Sequence, residues 1–306
     1  MQKQIILFIL LVFISCNKNL PFGNGPNNKV TIFVSDEDRE IAELYLAPLF
    51  NNMIMTPVEE NLYSVEIKKS QDFIPLKYNK NIIITSILEP EDSTGDLLFD
   101  KFYNISNKEI FSLSDVYSRN QTIICLSAEN LDKFSLLIND YNQWILETIN
   151  ENIFDNYKYD LSTTDKELNI INIAKQNFNI DINIDENYKI ILDEDNLLWI
   201  GRGFPYRWIV ISSADISKDS YLTYIKDIYE DKLTNLTIVD KYTYFTNDLD
   251  NIVVRGLYEQ EDSDTGGPFF TYIFENNINK EVIFVSGFIN NPVKAKLIYC
   301  FSLKQL

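Results

Sequence analysis

The chain has 306 residues, of which 45% are hydrophobic and 13% aromatic, enough for one large or two modest packed domains and unlike a disordered chain. Its formal net charge of −18, from 27 basic and 45 acidic residues, repels phosphate backbones and leaves no basic stripe, which argues against a nucleic-acid partner. There is no histidine, so Ser-His-Asp and Cys-His machinery and histidine-ligated zinc or haem are excluded, and any catalysis would rest on carboxylates, Lys, Tyr or a cofactor.

The N-terminus carries one positive charge, Lys3, followed by the unbroken apolar run Ile5–Ile14, then Ser15 and Cys16. Charge, apolar core and small residue, in that order, make a secretory signal peptide over residues 1–15. The run is too short to cross a bilayer, which takes about 20 apolar residues. Cys16 directly after Phe13-Ile14-Ser15 resembles the lipobox of bacterial lipoproteins, with Phe13 where Leu is usual. The resemblance implies a diacylglycerol on the Cys16 sulfur and cleavage that leaves Cys16 as the new N-terminus. Residues 16–28 then read as the lipidated cysteine and a tether. Its Gly, Pro and Asn discourage helix and strand, and a coil of that length spans roughly 20 Å.

Two α+β units follow, 29–150 and 180–306, with a helical connection over 151–179. Val30–Val34 reads as a strand, and Asp36 as the cap of a helix with Ile41, Leu44, Tyr45 and Leu49 on one face. Tyr63–Ile67, Asn81–Thr85 and Gln121–Leu126 read as strands, and Ala128–Ile149 as a helix with Leu131, Phe134, Leu137, Ile138, Tyr141, Ile145 and Ile149 inward. Thr164 and Glu167 have capping-box spacing. Ile180–Asp185, Tyr188–Leu192, Leu197–Arg202 and Arg207–Ser212 read as strands, Asp219–Asp231 as a helix, Ile252–Tyr258, Phe269–Phe274 and Val282–Phe288 as strands, and Pro292–Leu303 as a closing helix. Strands with helices at their ends and on one face predict an α+β fold with mainly antiparallel sheets rather than a doubly wound parallel sheet. Cys125 and Cys300 lie in apolar runs and read as buried hydrophobes, with pairing as the alternative.

Three groups are candidates for chemistry. Arg202, Tyr206, Arg207 and Trp208 combine paired guanidinium groups with aromatics, a pattern that grips anionic or glycan ligands; the alternative is a loop whose arginines pair with the protein's own carboxylates. Asp262 and Asp264, before Gly266, resemble the start of a calcium loop. The pattern then fails at Gly266 and Ile273, which favours a plain turn over Ca²⁺. The acid groups Asp36–Asp38 and Asp193–Asp195 could pair as in a carboxylate hydrolase, but 45 acids make such spacing uninformative.

The lipobox and tether, Leu20-Pro-Phe-x-x-Gly25-x-x-Asn28-x-Val30, Val254-Arg-Gly-Leu-Tyr258, Gly266-Gly-Pro-Phe269 and Gly287-Phe288 together resemble the Bacteroidota lipoproteins of the domain of unknown function 4837 type. The second unit is also similar to the α/β/α sandwiches of the PsbP/Mog1 type. The resemblance implies an envelope location and no assigned activity. The expectation is a lipoprotein anchored through Cys16, in the outer membrane and facing the periplasm, that binds or scaffolds an envelope protein without catalysis. A ligand-binding lipoprotein and a carboxylate hydrolase are the alternatives, and no cofactor is expected beyond a possible Ca²⁺.

Overall fold

The computed structural model describes residues 20–54, 60–87, 94–106, 108–203, 206–233, 236–248, 251–260, 265–276 and 280–290. The expected signal peptide, Cys16, Cys300 and the expected helix Pro292–Leu303 lie outside them. In chain order, β1 (Lys29–Val34) is followed by a short ribbon, β2 (Met53–Ile54) and β3 (Glu60–Asn61). Then come β4 (Ser64–Lys69), β5 (Asn81–Ile87), helix α1 (Thr94–Ser106), β6 (Ile110–Ser114), β7 (Thr122–Ala128) and the long helix α2 (Leu131–Ser162). The described residues fall into two compact units, one running to Phe50 and from Tyr63 to Ile153, the other taking Asn51–Leu62 and the chain from Phe154 onward.

In the first unit the strand order is β4-β1-β5-β7-β6. The pairs β1–β4, β1–β5 and β5–β7 are parallel, and only β6 is antiparallel to its neighbour. The antiparallel expectation is therefore corrected here. The physical reason is visible in the runs themselves: Asn81–Ile87 and Thr122–Ala128 are buried at every position, as in strands covered on both faces. Alternate residues Phe33, Ile82, Ile84, Ile123 and Cys125 pack with Leu98, Phe99 and Phe102 of α1. On α2 the buried stripe is Phe134, Ile138, Ile145, Ile149 and Ile153, whereas Leu131 and Tyr141, expected inward, are exposed. The segment after β1 also differs from expectation. A π-helical turn over Ala42–Leu46 shifts the register, so Ala42, Leu46 and Phe50 are buried and Leu44 is exposed. Cys125 is a free, buried thiol.

Residues 20–28, expected as part of a free tether, are instead fastened to the first unit. Gly23 N donates to Arg119 O at 3.2 Å, Asn24 N to Tyr78 O at 2.7 Å and Arg119 N to Pro21 O at 2.8 Å. The Asn27 side chain is buried and accepts from Lys80 Nζ. Gly, Pro and Asn exclude regular structure here, but the backbone groups they leave find partners on neighbouring loops.

The second unit contains α3 (Leu168–Phe178), β8 (Lys189–Glu194), β9 (Leu197–Arg202), β10 (Tyr206–Ala214) and α4 (Tyr221–Lys232). It continues with β11 (Leu236–Ile238), β12 (Tyr244–Asp248), β13 (Asn251–Gln260), β14 (Thr265–Glu275) and β15 (Val282–Asn290). Its antiparallel sheet runs β11-β13-β14-β15-β10-β9-β8, with β12 paired to β13, so the α+β class and the antiparallel expectation hold here. Period-two alternation sends Leu198, Ile200, Ile209, Ile211, Phe270 and Val285 to one face, against Ile170, Ala174 and Phe178 of α3. The other face sends Trp199, Val210, Phe269, Phe284 and Phe288 against Tyr221, Ile225 and Tyr229 of α4. Ile180–Asp185 is not a strand; Ile180 and Ile184 are buried from an irregular segment that follows α3.

Candidate functional site

Arg202 ends β9 and Arg207 stands near the start of β10, directly opposite it in the antiparallel register. Both share the sheet face of Ile200 and Ile209, the α3 side. Tyr206 and Trp208, one residue either side of Arg207, must point to the other face. Trp208 packs there against Trp199 and Tyr258, with ring centroids 6.1 and 6.5 Å apart. The four residues singled out from sequence therefore do not converge on one pocket. Strand alternation splits the pair of arginines from the pair of aromatics.

On the arginine side, Arg202 Nη1 donates to Asp185 Oδ2 at 2.6 Å, and the Asp185 side chain is only 7% exposed. The Arg202 guanidinium also lies 5.7 Å from the Tyr188 ring centroid. Asp185 Oδ1 accepts from Asn187 N at 2.9 Å and Asn187 Nδ2 at 2.8 Å, so both its oxygens are engaged. Near Arg207, burial pushes the Tyr157 phenol up to about 12; Asp160 adds to the rise and the Arg207 charge opposes it. Arg202 thus serves a carboxylate of its own fold, the alternative that the sequence left open.

Asp262 and Asp264 lie outside the described residues. β14 already begins at Thr265, and Ile273, at the position of the bidentate glutamate, is 3% exposed in the core. Among the described residues, no group of three or more Asp, Glu, Cys or His is placed to hold a metal ion.

A third cluster was missed from sequence. It lies at the carboxyl ends of β1 and β5, where the chain connections leave in opposite directions, the position that binds ligands in open parallel sheets. Asp38 is 6% exposed there. Its Oδ2 accepts from Ile87 N at 3.1 Å, and its own N donates to Ser35 Oγ at 3.2 Å. Ser86 Oγ donates to the Asp96 carboxylate at the start of α1. Burial raises the Asp38 pKa, the bonds from Ile87 and Ser35 oppose this, and Asp96 and Glu37 add to the rise. In the sequence Asp36–Asp38 reads as the start of a helix, and as a carboxylate pair its spacing is uninformative. The signal that could have found the cluster was the set of fully apolar runs, which implies parallel strands with aligned ends. As built, both carboxyls accept hydrogen bonds from the protein's own backbone and hydroxyls.

Residues 223–305 match the family described as Domain of unknown function (DUF4837), the family that the sequence resembles. No curated protein and no solved structure matches the chain.

Proposed function

We propose that this protein is a lipid-anchored protein of the cell envelope, held through Cys16 in the outer membrane on the periplasmic side, that works by binding a partner protein. The signal peptide and lipobox support the location. The observation that carries the binding reading is the edge strand β12. It pairs with β13 alone among the described strands. Tyr244 and Phe245 are neighbours and point to opposite sides of the strand, yet they are 41% and 52% exposed. Tyr242, just before, is 36% exposed. An uncovered aromatic edge is a hazard that proteins normally blunt with charge or proline, and it is the feature that strand addition by a partner uses.

Catalysis is not needed by this reading, and the buried Asp38 and Asp185 and the half-buried Asp96 fit it. Asp38, Asp96 and Asp185 each accept hydrogen bonds that hold the fold together. A ligand gripped jointly by the arginines and aromatics of β9 and β10 loses support, because these side chains face opposite sides of the sheet.

The test places a photo-crosslinking amino acid at Phe245 in the lipidated chain in its own cells, with Leu168, 65% exposed, as control site. A discrete crosslinked protein from position 245, and not from 168, is the expected result. Equal, diffuse labelling from both sites in membrane-anchored protein would contradict the reading.

A further inference from the structure

We propose that the end of the first unit bearing Phe22, Lys77, Lys80 and Arg119 lies against the anionic membrane surface, so that the anchor fixes the orientation of this unit. The inference rests on the lipid anchor at Cys16 proposed above. Only Asn17, Lys18 and Asn19 separate Cys16 from Leu20. Four residue steps reach at most about 14 Å, whatever their conformation. From Leu20 the chain is tied down. Arg119 Nε donates to Leu20 O at 2.8 Å, and the Arg119 guanidinium lies 4.9 Å from the Phe22 ring centroid. The loops of Tyr78–Asn79 and Arg119 bracket the segment through parallel bridges to Asn24 and Phe22. Whatever is fastened to Leu20 is therefore held within a short reach of the acyl chains.

This end differs in charge from the rest of the chain. In segments 20–29, 77–81 and 115–121 the basic residues are Lys29, Lys77, Lys80 and Arg119, and the sole acid is Asp115. Lys29 is neutralised by Glu66 at 2.6 Å, which leaves Lys77, Lys80 and Arg119 in a protein whose net charge is −18. Lys77 Nζ lies 5.1 Å from the centroids of both Tyr78 and Tyr117, and Phe22 is 47% exposed. Cations seated on aromatic rings beside an exposed Phe suit a headgroup interface, where charge meets anionic lipid and the ring enters the boundary. The opposite end of the sheet, reached along β5, carries Asp36, Glu37, Glu40, Glu43, Glu129 and Asp132 against Arg39, Lys69 and Lys133, which pair with Glu43, Asp36 and Glu129, so it stays net acidic. A seven-residue strand separates the two ends by about 23 Å. An anionic surface attracts the first end and repels the second, and the anchor joins at the attracted one.

The test uses the full acylated chain in vesicles of phosphatidylglycerol and phosphatidylcholine containing nitroxide-headgroup lipid. A fluorophore is attached at Asn24→Cys or at Asp132→Cys, each in a Cys300→Ser background; both sites are exposed and Cys125 is buried. The expected result is several-fold stronger quenching at 24 than at 132, narrowed by high salt and by Lys77→Glu. Equal quenching at the two sites in protein shown by mass spectrometry to be acylated overturns the orientation while leaving the anchor intact. Absence of acyl chains on Cys16 overturns the anchor, and the inference with it.

Discussion

Phe270 on β14 stands directly opposite Gly287 on β15, and a Cβ at position 287 would lie 2.4 Å from the Phe270 ring Cζ. The same device recurs one strand over: Gly256 on β13 faces Phe269, whose ring Cε1 would be 2.9 Å from a Cβ there. The Arg-Gly-Leu, Gly-Gly-Pro-Phe and Gly-Phe series that carries the family resemblance is thus a packing rule. Gly256 and Gly287 each make room for an aromatic ring from the neighbouring strand, whereas Gly266 and Gly267 make room for neighbouring backbone.

Gly287→Ala should destabilise the second unit by about 1–3 kcal/mol, the usual cost of overpacking a filled core. Gly267→Ala should cost more. Its Cβ would meet the Ile289 carbonyl oxygen at 2.0 Å, and backbone cannot swing aside as a ring can. Urea denaturation of the two variants checks the order.

Asp185 and Arg202 form a pair in which the acid is nearly buried. Removing one partner of such a pair leaves the other charge uncompensated, at a cost of about 3–5 kcal/mol. Arg202→Ala should show most of this, because it strands the Asp185 carboxylate, 7% exposed, with only its bonds from Asn187. Asp185→Ala should cost less, since the arginine it leaves behind is 28% exposed and partly screened. Thermal unfolding of both variants separates them. Equal, negligible effects would show that the pair is ornamental.

Asp38 gives a pH signature. Its folded pKa is raised above the ordinary carboxylate value of 3.8, chiefly by burial. The folded state therefore holds its proton where the unfolded state has lost it. The associated stability is fully present below the unfolded value and is lost as pH rises through the folded one. Asp38→Asn removes this titration and keeps an oxygen that can accept from Ile87 N. Denaturation midpoints of the variant should gain on the parent as pH rises from about 3 towards neutrality. A constant difference across that window would contradict the account.

At the β12 edge, Phe245→Lys places the charge with which proteins ordinarily guard edge strands. With the photo-crosslinking amino acid moved to Tyr244, 41% exposed, it should abolish crosslinking to a partner while changing stability by only about 0.5 kcal/mol or less, as surface substitutions do. Wild-type levels of partner capture by the variant would remove β12 as the docking strand.

Much of this architecture was legible in the residues. The apolar runs Val30–Val34, Asn81–Thr85 and Gln121–Leu126 marked buried strands, and β8, β9, β10, β13, β14 and β15 were read almost in place, while the short β11 and β12 were not read. Strand direction was not legible, because it depends on where a crossover returns the chain. Thr94–Ser106 escaped notice as a helix because its buried Leu98, Phe99 and Phe102 form a stripe too short to show a period, with Gly95 inside it. Ile180–Asp185 alternates like a strand, but alternation fits any extended segment that plugs a core with every second side chain. For the candidate residues on β9 and β10 the strand alternation itself sets a limit. Once Arg207–Ser212 is a strand, Tyr206, Arg207 and Trp208 cannot all face one ligand.

The most direct test of the central claim is the intact mass of the mature protein extracted from membranes, together with its N-terminal peptide. The account predicts a chain beginning at Cys16 that carries a diacylglycerol, and a Cys16→Ser form that lacks it and leaves the membrane fraction. A mature chain that begins elsewhere, or an unmodified Cys16 thiol in membrane-free protein, would contradict it.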